Sequence, residues 1–135
     1  MRVTEEQYSK LARGEKITPT EHAEQVEFFK WWRRFAAVHS LPAQLCFAIP
    51  NASKLTDGGR IWKYAEGLTA GVSDIFLAIP RDQFHGLFVE MKRRPNDVSV
   101  PQAEFQRAAF RYGYLAVTSY SCEDAIREVR DYLGV

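Results

Sequence analysis

Two apolar runs separated by a turn-rich segment constrain this chain more than any other feature. Residues 75–79 contain no polar side chain, residues 87–91 contain only Glu90, and residues 80–86 between them include Pro80, Asp82 and Gly86. The spacing predicts two buried strands over 74–79 and 87–92, paired antiparallel across a hairpin connection. An acid, Asp74, opens the first strand, and Glu90-Met91-Lys92 closes the second. Side chains alternate faces along a strand, so Glu90 and Lys92 share one side while Val89 and Met91 face apolar packing. If residues 71–74 turn directly into the first strand, antiparallel pairing brings the Asp74 carboxylate near that of Glu90.

Two carboxylates that close repel each other, and a divalent cation with a preference for oxygen relieves the repulsion more effectively than one lysine. Mg²⁺ or Mn²⁺ suits such a donor set. The cation would polarise a phosphoryl oxygen and acidify a bound water, with Lys92 holding that water or helping to deprotonate it. The alternative is that Asp74 caps a turn while Glu90 and Lys92 form an ion pair on an edge strand. Spacing alone does not separate the two.

The rest of the chain reads as one α/β domain. Its 135 residues, 46% of them hydrophobic and 13% aromatic, are enough for a single core. Thr20 is expected to cap a long amphipathic helix reaching about Val38, with Glu21, Glu24 and Glu27 early and Lys30, Arg33 and Arg34 later, as the helix dipole favours. A short helix over 4–13 would belong to an N-terminal extension, 1–19, ahead of a domain spanning 20–135. Residues 45–49 read as a strand stopped by Pro50, and 60–68 as a helix. Pro101 is expected as the first residue of a helix to Tyr112, stopped by Gly113. A strand over 114–118 and a helix from Ser121 or Cys122 to Leu133 complete the order α-β-α-β-β-α-β-α, a central mixed sheet flanked by helices.

The net charge of +1 gives no global basic signature, so local clusters must carry any nucleic-acid binding. Asn51, Lys54, Arg60, Lys63 and Arg93 are the candidates for phosphate contacts, with an ordinary solvated surface as the alternative. Phe28, Phe29, Trp31 and Trp32 read as packing residues rather than base-stacking ones. Cys46 and Cys122 lack metal-ligand spacing and are expected to be reduced, partly buried thiols. His22, His39 and His85 show no paired metal spacing and are expected at the surface. No phosphate loop, catalytic triad or nucleotide-binding fingerprint supports ATP-driven or acyl-transfer chemistry. Without an apolar run of membrane-spanning length or a secretory signal, the expectation is a soluble cytoplasmic protein, bacterial or phage-encoded, with no membrane partner.

A wider pattern joins these pieces. Glu21-His22-Ala23-Glu24-Gln25, Ile49-Pro50-Asn51, Gly71-Val72-Ser73-Asp74, Gly86-Leu87-Phe88-Val89-Glu90-Met91-Lys92, Ser99-Val100-Pro101-Gln102 and Gly113-Tyr114 together resemble the VRR-NUC domains. These are a branch of the PD-(D/E)xK nucleases, with a restriction-endonuclease-like fold, and the resemblance spans about 21–133. It implies that Asp74 and Glu90 bind the metal with the backbone carbonyl of Met91, and that Lys92 is the catalytic lysine. It also implies that Gln102 and a first-helix glutamate complete the site. Glu21 fits that glutamate, because Gln25 follows four residues later on the same helix face; Glu24 is the alternative. Ser73 departs from the pattern, which commonly has proline before the aspartate, without removing a ligand.

The activity implied is Mg²⁺- or Mn²⁺-dependent hydrolysis of DNA phosphodiester bonds by a structure-specific endonuclease similar to Holliday-junction resolvases. Such an enzyme would act on four-way junctions as a homodimer, with the helix carrying Trp31 and Trp32 offering apolar surface to the partner. A flap nuclease or exonuclease with the same site, and a non-catalytic DNA-binding module retaining the fold, are the alternatives.

Overall fold

In the structure, a computed structural model, residues 20–50 and 57–135 are described. The helix expected over 4–13, and Asn51 and Lys54, lie outside them. Helix α1 (Glu21–Val38) begins where the Thr20 hydroxyl accepts the Ala23 N–H at 3.0 Å. It buries Phe28, Trp32, Phe35 and Ala36. The Trp32 indole N–H donates to the Ala43 carbonyl at 2.9 Å, tying α1 to the 3-10 turn Ala43–Leu45. That turn takes the residue expected to open the next strand, so β1 covers only Cys46–Ala48.

There follow α2 (Asp57–Ala65), β2 (Ile75–Leu77), β3 (Leu87–Met91), α3 (Val100–Arg111), β4 (Leu115–Ser119) and α4 (Cys122–Leu133). This is the order expected. The sheet runs β1-β2-β3-β4, with β1/β2 and β2/β3 antiparallel and β3/β4 parallel. Helix α3 supplies the crossover that a parallel pair requires.

One sheet face presents Ile75, Leu77, Leu87, Val89 and Met91, which share a core with Phe28 and Trp32 of α1 and Val129 and Leu133 of α4. On the other face Phe76 stacks on Phe88 at 4.4 Å, and Phe88 meets Phe105 of α3 edge-on at 5.0 Å. The central strands are thus covered on both sides, which is why residues 75–79 show no alternation. Both are shorter than expected. The Ile79 carbonyl accepts the Tyr132 hydroxyl at 2.6 Å, so this apolar residue serves packing against α4 rather than the strand ladder.

Other boundaries moved for local reasons. Helix α2 ends before Gly67, which at φ +106° turns the chain so that the Leu68 N–H closes on the Lys63 carbonyl. Helix α3 starts at Val100, with Ser99 as its cap and Pro101 second. Cys46 and Cys122 are free and buried, and burial pushes their thiols up to about 12 and about 11. Among the described residues no helix is long and apolar enough to cross a membrane.

Candidate active site

The pairing of β2 with β3 matches Ile75 to Val89 and Phe76 to Phe88. Continued one step past Ile75, that register sets Asp74 across from Glu90 at the end of the sheet, on the face away from the main core. Asp74 Oδ2 accepts the Met91 backbone N–H at 2.8 Å, which fixes the carboxylate against the neighbouring strand. Lys92 lies one residue beyond β3 on the same side as Glu90, its own N–H donating to the Ser119 carbonyl at 2.8 Å. Val89 and Met91, facing the other way, are in the core as the alternation required.

Glu90 is 3% exposed. Its Oε1 accepts Nε2 of Gln102 at 2.8 Å, whereas Oε2 is buried with no hydrogen-bond partner among the described residues. Burial first, then the charge of the Asp74 carboxylate, and third the hydrogen bond that a protonated Glu90 can donate to Asp74 push the Glu90 carboxyl up to about 8; Lys92 opposes that rise and Glu21 adds to it. Gln102 is itself held by the α3 capping box, in which its Oε1 accepts the Ser99 N–H at 2.8 Å and its N–H donates to the Ser99 hydroxyl at 3.4 Å.

Gly71 lets the loop before Asp74 approach this corner. It sits at φ +87°, and a Cβ there would collide with the carbonyl of Pro101, beside Gln102.

A cleft of about 380 Å³ borders the site, lined by Glu21, Gln25, Phe29 and Arg33 of α1 together with Asp74 and Met91. Glu24 is turned elsewhere: its Oε2 accepts the Cys122 N–H at 2.6 Å and so helps to cap α4. Of the two first-helix glutamates, then, Glu21 lies beside the carboxylate pair. Phe29, packed in part against the core as expected, and Arg33 also line this cleft; sequence reasoning did not place them there, although they continue the four-residue spacing of Glu21 and Gln25.

The residues expected to touch DNA are less assembled. Lys63 is exposed and pairs with Glu66 at 3.1 Å, and Arg93 is half-buried beside Lys92. Asn51, Lys54 and the side chain of Arg60 lie outside the described residues. His22, His39 and His85 are exposed, as expected. Trp32, at 1% exposure, belongs to the core and so adds nothing to the surface that α1 could offer a partner, while Trp31 is half-buried and stacks on Phe35 at 4.6 Å. Phe28 and Trp32 confirm the packing role expected of the aromatic helix.

Among the described residues, no group of three or more His, Cys, Asp or Glu side chains gathers as a metal cluster. Two opposed carboxylates, one with an unpartnered buried oxygen, form an all-oxygen set. Such a set suits a hard cation that keeps part of its water shell, and not a soft metal needing nitrogen or sulfur.

No family model matches the sequence, and no curated protein sequence matches it. A solved VRR_NUC domain protein is similar in structure, with a TM-score of 0.70 and 21% identity over 87% of this chain and 91% of that one. With its four-stranded mixed sheet and flanking helices, the chain has the fold of a VRR_NUC domain protein.

Proposed function

We propose that this chain is a Mg²⁺- or Mn²⁺-dependent nuclease that hydrolyses DNA phosphodiester bonds at the sheet end where Asp74 and Glu90 face each other. The reading rests on Glu90, an almost fully buried carboxylate with one oxygen held by Gln102 and the other unpartnered, opposite a second carboxylate. A buried anionic oxygen in that position is unfavourable unless a cation or a proton compensates it. Asp74, Glu90 and the Met91 carbonyl would hold the cation, which when bound polarises a phosphoryl oxygen and acidifies a water.

The chain's own groups supply orientation and charge. Gln102 fixes the rotamer of Glu90, and the Met91 N–H fixes that of Asp74. Lys92, on the same side as Glu90, offers an ammonium to the attacking water and to the charge growing on the scissile phosphate. Glu21 forms the α1 wall of the site. The likeness in fold to a VRR_NUC domain protein supports the same reading.

The finer form of the activity is a resolvase-like homodimer acting on four-way junctions, since one chain carries one site and paired cuts take two. Purified protein tested on junction, flap, blunt-duplex and single-stranded DNA with Mg²⁺, Mn²⁺ or EDTA is expected to cleave only with a cation. Failure to cleave any substrate with either cation overturns the nuclease reading. A strictly monomeric protein by light scattering overturns the paired-cut form alone.

A further inference from the structure

We infer that one strand of the substrate runs unpaired from the scissile phosphate along α1, in a groove whose far end is Arg33. The inference rests on the nuclease reading for the nature of that strand. Glu21, Gln25, Phe29 and Arg33 recur every four residues, so they form one ridge of the helix. All four line the cleft that reaches Asp74 and Met91. A second cavity, of about 450 Å³, shares Phe29 and Arg33 and continues past Cys46 and Ala48 of β1. The groove therefore leads away from the carboxylate pair toward a cationic end.

Its lining selects the occupant. From Glu21 to Arg33 an α-helix rises about 18 Å, enough to follow a few nucleotides of a separated strand. Acids stand only at the end where the cation would be held. Beyond them come the amide of Gln25, the ring of Phe29 and the exposed guanidinium of Arg33, while the nearby Lys30 is engaged with Glu27 at 3.2 Å. Hydrogen bonding, an apolar ring for a base and a charge for a phosphate are what a separated strand requires. The substrates favoured are those with an unpaired strand next to the cut, such as a splayed arm, a flap or a junction opened at its crossover.

The test compares a blunt fluorescein-labelled duplex with the same duplex bearing a short single-stranded tail. Binding is read by fluorescence anisotropy in EDTA, and cleavage is read separately in Mg²⁺. Wild type is expected to bind the tailed duplex about tenfold more tightly than the blunt one. Arg33→Glu should reduce that advantage to about twofold or less, and Phe29→Leu, which keeps an apolar side chain in place, should reduce it in part. Arg111→Glu carries the same charge change at an exposed position of α3 and should retain the full advantage. Equal affinity of wild type for the two duplexes, or an undiminished tail advantage in Arg33→Glu, overturns the groove. A protein that cleaves both duplexes at equal rates keeps the nuclease reading and loses the groove. One that binds tails through Arg33 and cleaves nothing keeps the groove and loses the nuclease reading.

Discussion

A single side-chain amide links the start of α3 to the buried acid of β3: Gln102 donates from Nε2 to Glu90 at 2.8 Å while its Oε1 receives the Ser99 N–H at 2.8 Å. Exchanging the two ends would set donor against donor at Ser99, so the cap dictates which group Glu90 meets. Gln102→Ala is therefore expected to lower the cleavage rate by about 10- to 100-fold, as loss of a group that orients a ligand does. It should also cost about 1 kcal/mol of stability through the lost cap. Ser99→Ala removes the hydroxyl of the cap but leaves the amide and the Ser99 N–H, so its cleavage rate should stay within a few-fold of wild type. Equal slowing in both variants, measured with matched denaturant curves, would show that helix capping and not the link to Glu90 matters.

Asp74→Asn and Glu90→Gln are expected to abolish cleavage while leaving the fold intact. The amide oxygen introduced by the first change can still accept the Met91 N–H, so the turn keeps its hydrogen bond. Circular dichroism checks the fold and a DNA-nicking assay checks the activity. Unchanged turnover in either variant removes the metal-site assignment. Unfolding on Asp74→Asn would mean instead that the carboxylate's task is to hold the turn.

Lys92 should act on the transition state more than on binding. Its backbone is pinned by the Ser119 carbonyl at 2.8 Å, so the side chain starts from a fixed point beside Glu90. Lys92→Ala is expected to lower the cleavage rate by about a thousandfold with little change in DNA affinity. A proportional fall in both, seen by pairing single-turnover kinetics with anisotropy, would make Lys92 a phosphate anchor.

Much of this fold was legible because its signals are local. Thr20 and Ser121 cap the helices they precede, and Gly113 at φ +94° stops α3 where the sequence placed it. The facing of Asp74 and Glu90 followed from hairpin register, which is also local. Choosing between Glu21 and Glu24 was different. Both sit in the first turn of α1, and only the packing of α4 reveals that Glu24 serves the Cys122 N–H from the far side of the sequence. Trp32 illustrates the same limit: aromatics at 28, 29, 31, 32 and 35 wrap more than one helix face, and the elements packed against α1 decide which is buried. The close approach of Gly71 to Pro101 joins two loops distant in sequence, and no periodicity announces it. Ser99 as the cap of α3 was a missed local signal, since Ser99 followed by Gln102 is a capping-box spacing.

Glu90 also makes stability depend on pH in a direction opposite to most carboxylates. Burial, and after it the charge of Asp74, raise its carboxyl from an ordinary 4.5 to about 8 in the folded chain. The folded state then holds a proton that the unfolded state releases, so this contribution to stability is fully present below about pH 4.5 and is lost as pH rises through about 8. Without divalent cation, the melting temperature of wild type relative to Glu90→Gln should fall across that interval, because the amide cannot ionise. Mg²⁺ or Mn²⁺ competes with the proton for the ionised pair, so either cation should raise the wild-type melting temperature more at about pH 8.5 than at about pH 5. Glu90→Gln should respond weakly at both. Differential scanning fluorimetry across pH, with and without cation, gives all of these comparisons in one experiment. Parallel pH profiles for the two proteins would show that Glu90 ionises in the folded state as it does in the unfolded one, and that the carboxylate pair is already compensated by protein groups alone.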